Sequence, residues 1–491
     1  MNDVDGDGGN RTSSSEFLAM VLDEPPRPRS RWLLVAAVMV ALVAATAVVY
    51  VALLRDTGPA HPDAWDSRVE ELAEIVADER GLDFEHPVYV DFLEESQFAK
   101  QVTTDEDDLT AEDRKEIEQW TGLFRAVGFI EGEVDLFDSV NQLNGAGIVG
   151  YYSYEDERIR IRGTELTPAV RSTLVHELTH ALQDQHFDLE AMTEKVQDDR
   201  AAASALDALI EGDARRIETE WRTGLSEEDR AAVDASREEQ SDDVDEDAAG
   251  IPEVLTTMVA APYALGEALL AVAVEQGGDR AVDALFERPP TTEEHQLDPW
   301  TLVQDRAVAI DVDTPELAEG EVSFDDGPFG AVSWLLVLAE RIPVKQALTA
   351  ADGWGGDSYV AFERDGATCV RMHYRGDTGR DVKQMKVALK KWVGRLPQAP
   401  ASVRREGSLL SFESCDPGTT AAAVATESSQ DALTLALSRT YLSATLAKGG
   451  ADPTMARCAA DRLVRALELE ELNDPTLDRG RVQRIIAPCR V

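Results

Sequence analysis

The alternation of apolar and polar residues sorts most of this chain into helices interrupted by a few strands. Apolar positions at helical spacing predict helices over Ala64–Arg80 and Ala111–Val127. PVYVDF, Pro87–Phe92, has the β-branched and aromatic content of a strand. GIVGYYSYEDERIRIR, Gly147–Arg162, reads as two strands around a turn at Glu155 and Asp156. Its second arm alternates Ile159, Arg160, Ile161, Arg162. Thr167 is a capping residue and Pro168 suits a first helical turn, so a helix is expected from about 168 to 185. A second helix follows over Ala201–Trp221, with Leu206, Leu209 or Ile210, Ala214, Ile217 and Trp221 on one stripe.

Beyond Pro252, helices are expected over Tyr263–Gln276 and Gly330–Arg341, and a strand pair over Tyr359–Glu363 and Cys369–Tyr374. A helix over Asp381–Trp392 closes that pair, and the chain is helical again from about 427. Trp354, Gly355 and Gly356 are expected in a turn. The pattern defines an α+β, helix-rich protein with a small sheet. The units expected are 55–225, an acidic linker 226–250, a mixed part 251–398 and a helical region 399–491.

One stretch breaks the polar pattern. Trp32–Leu54, WLLVAAVMVALVAATAVVYVALL, has no charge and is long enough to cross a bilayer, which takes about 20 apolar residues. Arg27, Arg29 and Arg31 crowd one flank while Arg55 beside Asp56 stands on the other, which predicts a single-pass anchor with residues 1–31 as a disordered cytoplasmic tail. The remainder would then face outward. All four cysteines lie beyond the anchor, and none sits in a C-x-x-C spacing. They suggest two disulfides; sequential pairing, Cys369–Cys415 and Cys458–Cys489, is the simplest of three connectivities.

Composition narrows the partners. The 491 residues carry 94 acidic and 47 basic side chains, a formal net charge of -47, with only nine lysines. Such a surface repels phosphates, so a nucleic-acid partner is excluded. The run SDDVDEDA, Ser241–Ala248, repels itself and reads as a solvated linker.

The candidate chemistry sits in LVHELTHALQDQH, Leu174–His186, which holds three of the seven histidines. On a helix His176 and His180 share one face and can offer two nitrogens to one zinc ion. Glu177 lies one step round, placed to take a proton from a water polarised by that metal. Two residues compete as third ligand. His186 has the spacing of the H-E-x-x-H-x-x-G-x-x-H peptidases, but their glycine is Gln183 here. If the helix continues, His186 points about 80° away from His176 and nearly three turns along. The alternative is Glu211 in LIEGDA, on the next helix, where Ala205, Ala208 and Gly212 would allow close packing.

These residues carry a resemblance. HELTHALQDQHFDL followed by LIEGDA resembles the gluzincin group of zinc metallopeptidases, and more narrowly a family of uncharacterised, often membrane-anchored bacterial proteins. The likeness extends to GYYSYEDERIRIRG, to Pro262, Tyr263 and Gly266, to RPPTTEEHQLDP at 288–299 and to AADGWGGDSY at Ala350–Tyr359, so about residues 85–395. It implies a zincin-like domain, zinc on His176, His180 and Glu211, Glu177 as base, and a peptide or protein substrate. Two features depart from it: 31 positions separate His180 from Glu211, and Asp298 with Pro299 stands where the family carries His-Pro. Asp184 is a candidate to orient a ligand, and Tyr263 or His295 to donate to an oxyanion. An extended substrate is expected to pair with the strand at Ile159–Arg162. The sequence reading is therefore a membrane-anchored, extracytoplasmic zinc metallopeptidase, against the alternative of a zinc-binding ectodomain without catalysis.

Overall fold

The computed structural model describes residues 59–247, 250–305, 307–395, 401–420, 428–472, 474 and 476–489. The expected tail and membrane span, 1–31 and 32–54, lie outside the described residues.

In chain order the elements are α1 (Glu70–Arg80), β1 (Tyr89–Leu93), α2 (Glu95–Val102), α3 (Ala111–Val127), α4 (Leu136–Gly147), β2 (Gly150–Ser153), β3 (Arg158–Arg162), α5 (Pro168–Phe187), α6 (Leu189–Val196), α7 (Arg200–Gly224), α8 (Glu227–Asp247), α9 (Glu253–Gly277) and α10 (Asp279–Glu287). There follow β4 (Val322–Gly327), α11 (Ala331–Ala339), α12 (Val344–Ala351), β5 (Trp354–Arg364), β6 (Ala367–Gly376), α13 (Gly379–Val393), β7 (Ser402–Glu406), β8 (Leu409–Cys415), α14 (Ser429–Lys448), α15 (Pro453–Ala466) and α16 (Arg479–Ile486). The protein is helix-rich α+β, as the pattern predicts.

The first sheet has the order β1-β3-β2, with β3 parallel to β1 and antiparallel to β2. Ile159 and Ile161 of β3 are fully buried against α5 while Arg158, Arg160 and Arg162 face out, so the alternation read from sequence holds. Its consequence for substrate does not. β3 is the central strand, hydrogen-bonded on both sides, and has no free edge for a peptide.

Helix α5 starts where the cap predicts: the Thr167 hydroxyl accepts from Val170 N–H, with Pro168 in the first turn. It runs two residues past the expected end and is buried on nearly every face, hence central. Helix α7 crosses α9 at a point only glycine allows. A Cβ on Gly266 would lie 1.9 Å from the Ala208 carbonyl oxygen, and one on Gly212 2.3 Å from the Gly266 carbonyl carbon. Helix α9 is the one described helix long and apolar enough to cross a membrane, yet it is mostly buried and serves as a core helix between α7 and α14.

Further expectations need correction, among them the helical region 399–491, whose first part forms β7 and β8. The acidic segment 226–250 is not a free linker: α8 fills most of it and docks beside α5. Val233 is buried and Arg237, one turn on, reaches inward, which gives this charged helix an interior face. Trp354 and its glycines form the start of β5 rather than a turn, because the second sheet is larger than the pattern suggests. It has five antiparallel strands ordered β4-β5-β6-β8-β7. Cys369 on β6 faces Cys415 on β8, and the two are disulfide-bonded; Cys458 and Cys489 form the second disulfide.

Candidate metal centre

His176 and His180 sit one turn apart on α5, and the α7–α9 crossing brings Glu211 against them. The Nε2 atoms of the two rings are 3.0 Å apart, and each is 3.3 Å from Glu211 Oε2. All three side chains are buried, and among the described residues they form the one group of three or more His, Cys, Asp or Glu able to share a metal ion.

The size of this triangle can be tested against an ion. Zinc binds nitrogen and oxygen at about 2.0–2.1 Å, so two ligand atoms of a tetrahedron stand about 3.3 Å apart. The three separations match one face of such a tetrahedron. Calcium, with longer bonds and six to eight oxygens, would need a wider and more oxygen-rich set. The donors therefore fit a metal of zinc's size and preference.

The surroundings fix which ring nitrogens face inward. Gln183 Nε2 donates to Ile210 O and to Asp213 Oδ2, both at 3.1 Å, so its Oε1 is the end turned to His180. That oxygen lies 3.0 Å from His180 Nδ1, which must carry the proton, leaving Nε2 with a lone pair for a cation. Asp213 is itself held by Arg80 Nε at 2.7 Å and Arg216 Nη2 at 2.9 Å. Gln183, at the position where histidine-ligand peptidases have glycine, thus orients the second histidine.

On the other ring, His176 Nδ1 faces Glu218 Oε2 at 3.8 Å, ion-pair range but too long for a hydrogen bond. Ser172 and Arg215 bind Glu218 at 2.5 and 2.6 Å, and Arg237 binds it as well. Burial opposes charge on both groups. Even so, Glu211 and Glu218 lift the His176 pKa to about 10, while Arg215 and Arg237 hold the Glu218 carboxyl well below its usual range. A pocket that holds a proton so firmly has strong negative potential and favours a divalent cation, which must displace that proton on binding.

The remaining candidates are placed as follows. Glu177 is fully buried beside His176 and adds to the negative field there. Tyr263 stacks on His176 with ring centroids 6.1 Å apart, carried by α9 directly after Pro262. His186 does not join the group: α5 continues through it and its Nε2 lies 2.8 Å from Asp83 O. Asp184 bonds the Tyr152 hydroxyl and the Leu189 N–H, both at 2.8 Å, tying α5 to β2 and α6 instead of orienting a ligand. His295 is buried, bonds Thr301 at 2.9 Å, and makes no described contact with the three. Gln183, Asp213 and Glu218 were not read from the sequence. Glu218 could have been, since it follows Glu211 by seven residues and so shares its helix face.

The fold and the site thus define a helix-rich α+β protein with a buried His-His-Glu group able to hold a metal ion. Compared with protein families, curated proteins and solved structures, the chain matches none.

Proposed function

We propose that this protein is a zinc metallopeptidase of the gluzincin kind, anchored through residues 32–54 with its folded part outside the cytoplasm. The observation that carries the reading is the triangle of His176 Nε2, His180 Nε2 and Glu211 Oε2, with sides of 3.0, 3.3 and 3.3 Å. A zinc ion held there would act as a Lewis acid on a substrate carbonyl and lower the pKa of water toward neutral. Glu177 accepts the proton that water gives up and passes it to the departing amine. Tyr263, whose ring stacks on His176 from α9, is the candidate to donate to the oxyanion. With β3 paired on both sides, the edge offered to an extended peptide is β2, which packs on α5. Two disulfides suit an oxidising compartment.

The test is Glu177→Gln. The variant should keep one zinc per chain and lose peptide hydrolysis by about 10²–10⁴-fold. Unchanged hydrolysis would remove Glu177 from the mechanism. One observation favours a second reading, a structural metal centre: His176, His180 and Glu177 are at most 1% exposed. On that reading the wild-type protein binds zinc, unfolds on chelation and cleaves no peptide in a broad library.

A further inference from the structure

We propose that Arg237, carried by the acidic helix α8, is a positioning residue for the metal centre that sets its affinity through Glu218. The inference rests on the metal reading above and adds an element which that reading does not use.

Three helices meet at the Glu218 carboxylate. Helix α5 brings Ser172, four residues before His176, and its hydroxyl donates to Oε1 at 2.5 Å. Helix α7 brings Arg215, which donates to Oε2 at 2.6 Å. Helix α8 brings Arg237, whose Nη1 bonds Oε1 and lies 3.2 Å from the Ser172 hydroxyl. The oxygen left toward the site is Oε2, and it faces His176 Nδ1 at 3.8 Å. His176 is therefore flanked by two carboxylates of one helix, Glu211 3.3 Å from its Nε2 and Glu218 in ion-pair range of its Nδ1.

This arrangement has a directional logic. A ligating imidazole is oriented by the group on its other nitrogen, and loss of that group costs about 10–100-fold in metal affinity. Arg215 alone would let the carboxylate swing toward its own side. Arg237 and Ser172 together pin Oε1, so that Oε2 keeps pointing at the ring. Along α8, Glu227, Glu228, Asp229, Asp234, Glu238 and Glu239 are exposed. Two of its residues reach inward, Val233, 2% exposed, and Arg237, with its side chain 13% exposed. The hydrophobic contact docks the helix. The guanidinium, spent on a carboxylate next to a ligand histidine, gives docking a consequence at the metal.

The experiment uses the full chain and measures Zn²⁺ affinity by competition with a chromophoric chelator. Arg237→Gln should weaken binding about tenfold, and Arg237→Lys should restore most of it. Val233→Ala should lower thermal stability while leaving affinity within about twofold of wild type. Loading with Co²⁺ adds a readout that loose packing would not move: the visible bands should shift in Arg237→Gln and not in Val233→Ala. If Arg237→Gln fails to fold, Ser172→Ala removes the other group on Oε1 and should weaken Zn²⁺ to the same extent. Wild-type affinity in Arg237→Gln, or in Ser172→Ala where that variant is needed, overturns the proposal while the metal reading stands. A wild-type protein that takes up no Zn²⁺ overturns both.

Discussion

Two regions of this molecule bury carboxylates, and they meet the cost in opposite ways. Asp357, at the start of β5, accepts hydrogen bonds from Phe329 N–H at 2.8 Å, from Gly330 N–H, and from the indole N–H groups of Trp334 and Trp354. Neighbouring Glu293 accepts from Val332 N–H at 2.9 Å, at the N-terminus of α11. Around both groups the protein has supplied donors, which offset part of a burial cost that still raises both carboxyls above their usual range. Glu211 faces two imidazole nitrogens that stand 3.0 Å from each other. The three atoms converge closely enough to share a single metal ion, and among the described residues neither Asp357 nor Glu293 belongs to such a group. A buried carboxylate is thus informative in proportion to what surrounds it: amide and indole donors mark architecture, while converging imidazoles mark a candidate metal site.

The widest separation of the two regions should come from deleting each carboxylate. Glu211→Ala should lose essentially all bound zinc, read as metal per chain after gel filtration, while His186→Ala keeps one equivalent. Asp357→Ala should leave the zinc in place. It strands four buried donors, each worth about 1–3 kcal/mol, so it should destabilise the fold by about 4 kcal/mol or more in denaturant titration. A metal-free Asp357→Ala, or a zinc-loaded Glu211→Ala, would dissolve the distinction.

A smaller effect should come from the crossing that delivers Glu211. Gly266→Ala drives a methyl group into the Ala208 carbonyl, and backbone cannot yield as a side chain does. We expect a loss of about 3 kcal/mol in stability, with weaker zinc binding, because α7 must move away and take Glu211 with it. Stability lost without any change in zinc affinity would show that the crossing holds the core together and does not place the ligand.

How far the sequence foretold these regions follows from which interactions are local. His176 and His180 were legible because a four-residue spacing on a capped helix puts both rings on one face, with Glu177 beside them. Glu211 was a candidate through its small neighbours and Gly212, whose packing reason proves to be Gly266, but the pattern left it level with His186 and the family resemblance decided between them. Gln183, Asp213 and Glu218 were not read: Glu218 shares the helix face of Glu211 and Gln183 lies one turn after His180, signals that were there to be used, whereas Asp213 depends on how α7 passes α5. The same limit applied to the second sheet. LLSFESC, Leu409–Cys415, alternates with Leu410 and Phe412 buried, but only the partner strands show it to be a strand. In α8 the charge pattern misled: acidic repulsion predicts a solvated segment, yet Val233 and Arg237 face inward beside α5.

The smallest expected effect sharpens the comparison through pH. Burial pushes the Glu293 carboxyl from 4.5 up to about 7, so its neutral form is the one the fold prefers. The sign follows from proton counts. Below about pH 4 the folded and unfolded chains both hold the proton. Between about pH 4.5 and 7 the unfolded chain releases it while the folded chain keeps it, so the stabilisation is lost as pH rises through that window. From pH 5 to pH 7 Glu293 should therefore remove about 2 kcal/mol from the wild-type protein, and Glu293→Gln, which cannot titrate, should be spared that loss. Other groups titrate in the same range, so the readout is the difference between the two denaturation curves at each pH. The zinc content of the two proteins should agree throughout. A difference curve that is flat with pH would mean that Glu293 is ionised in its buried place, and that the donors at the start of α11 stabilise charge more strongly than burial opposes it.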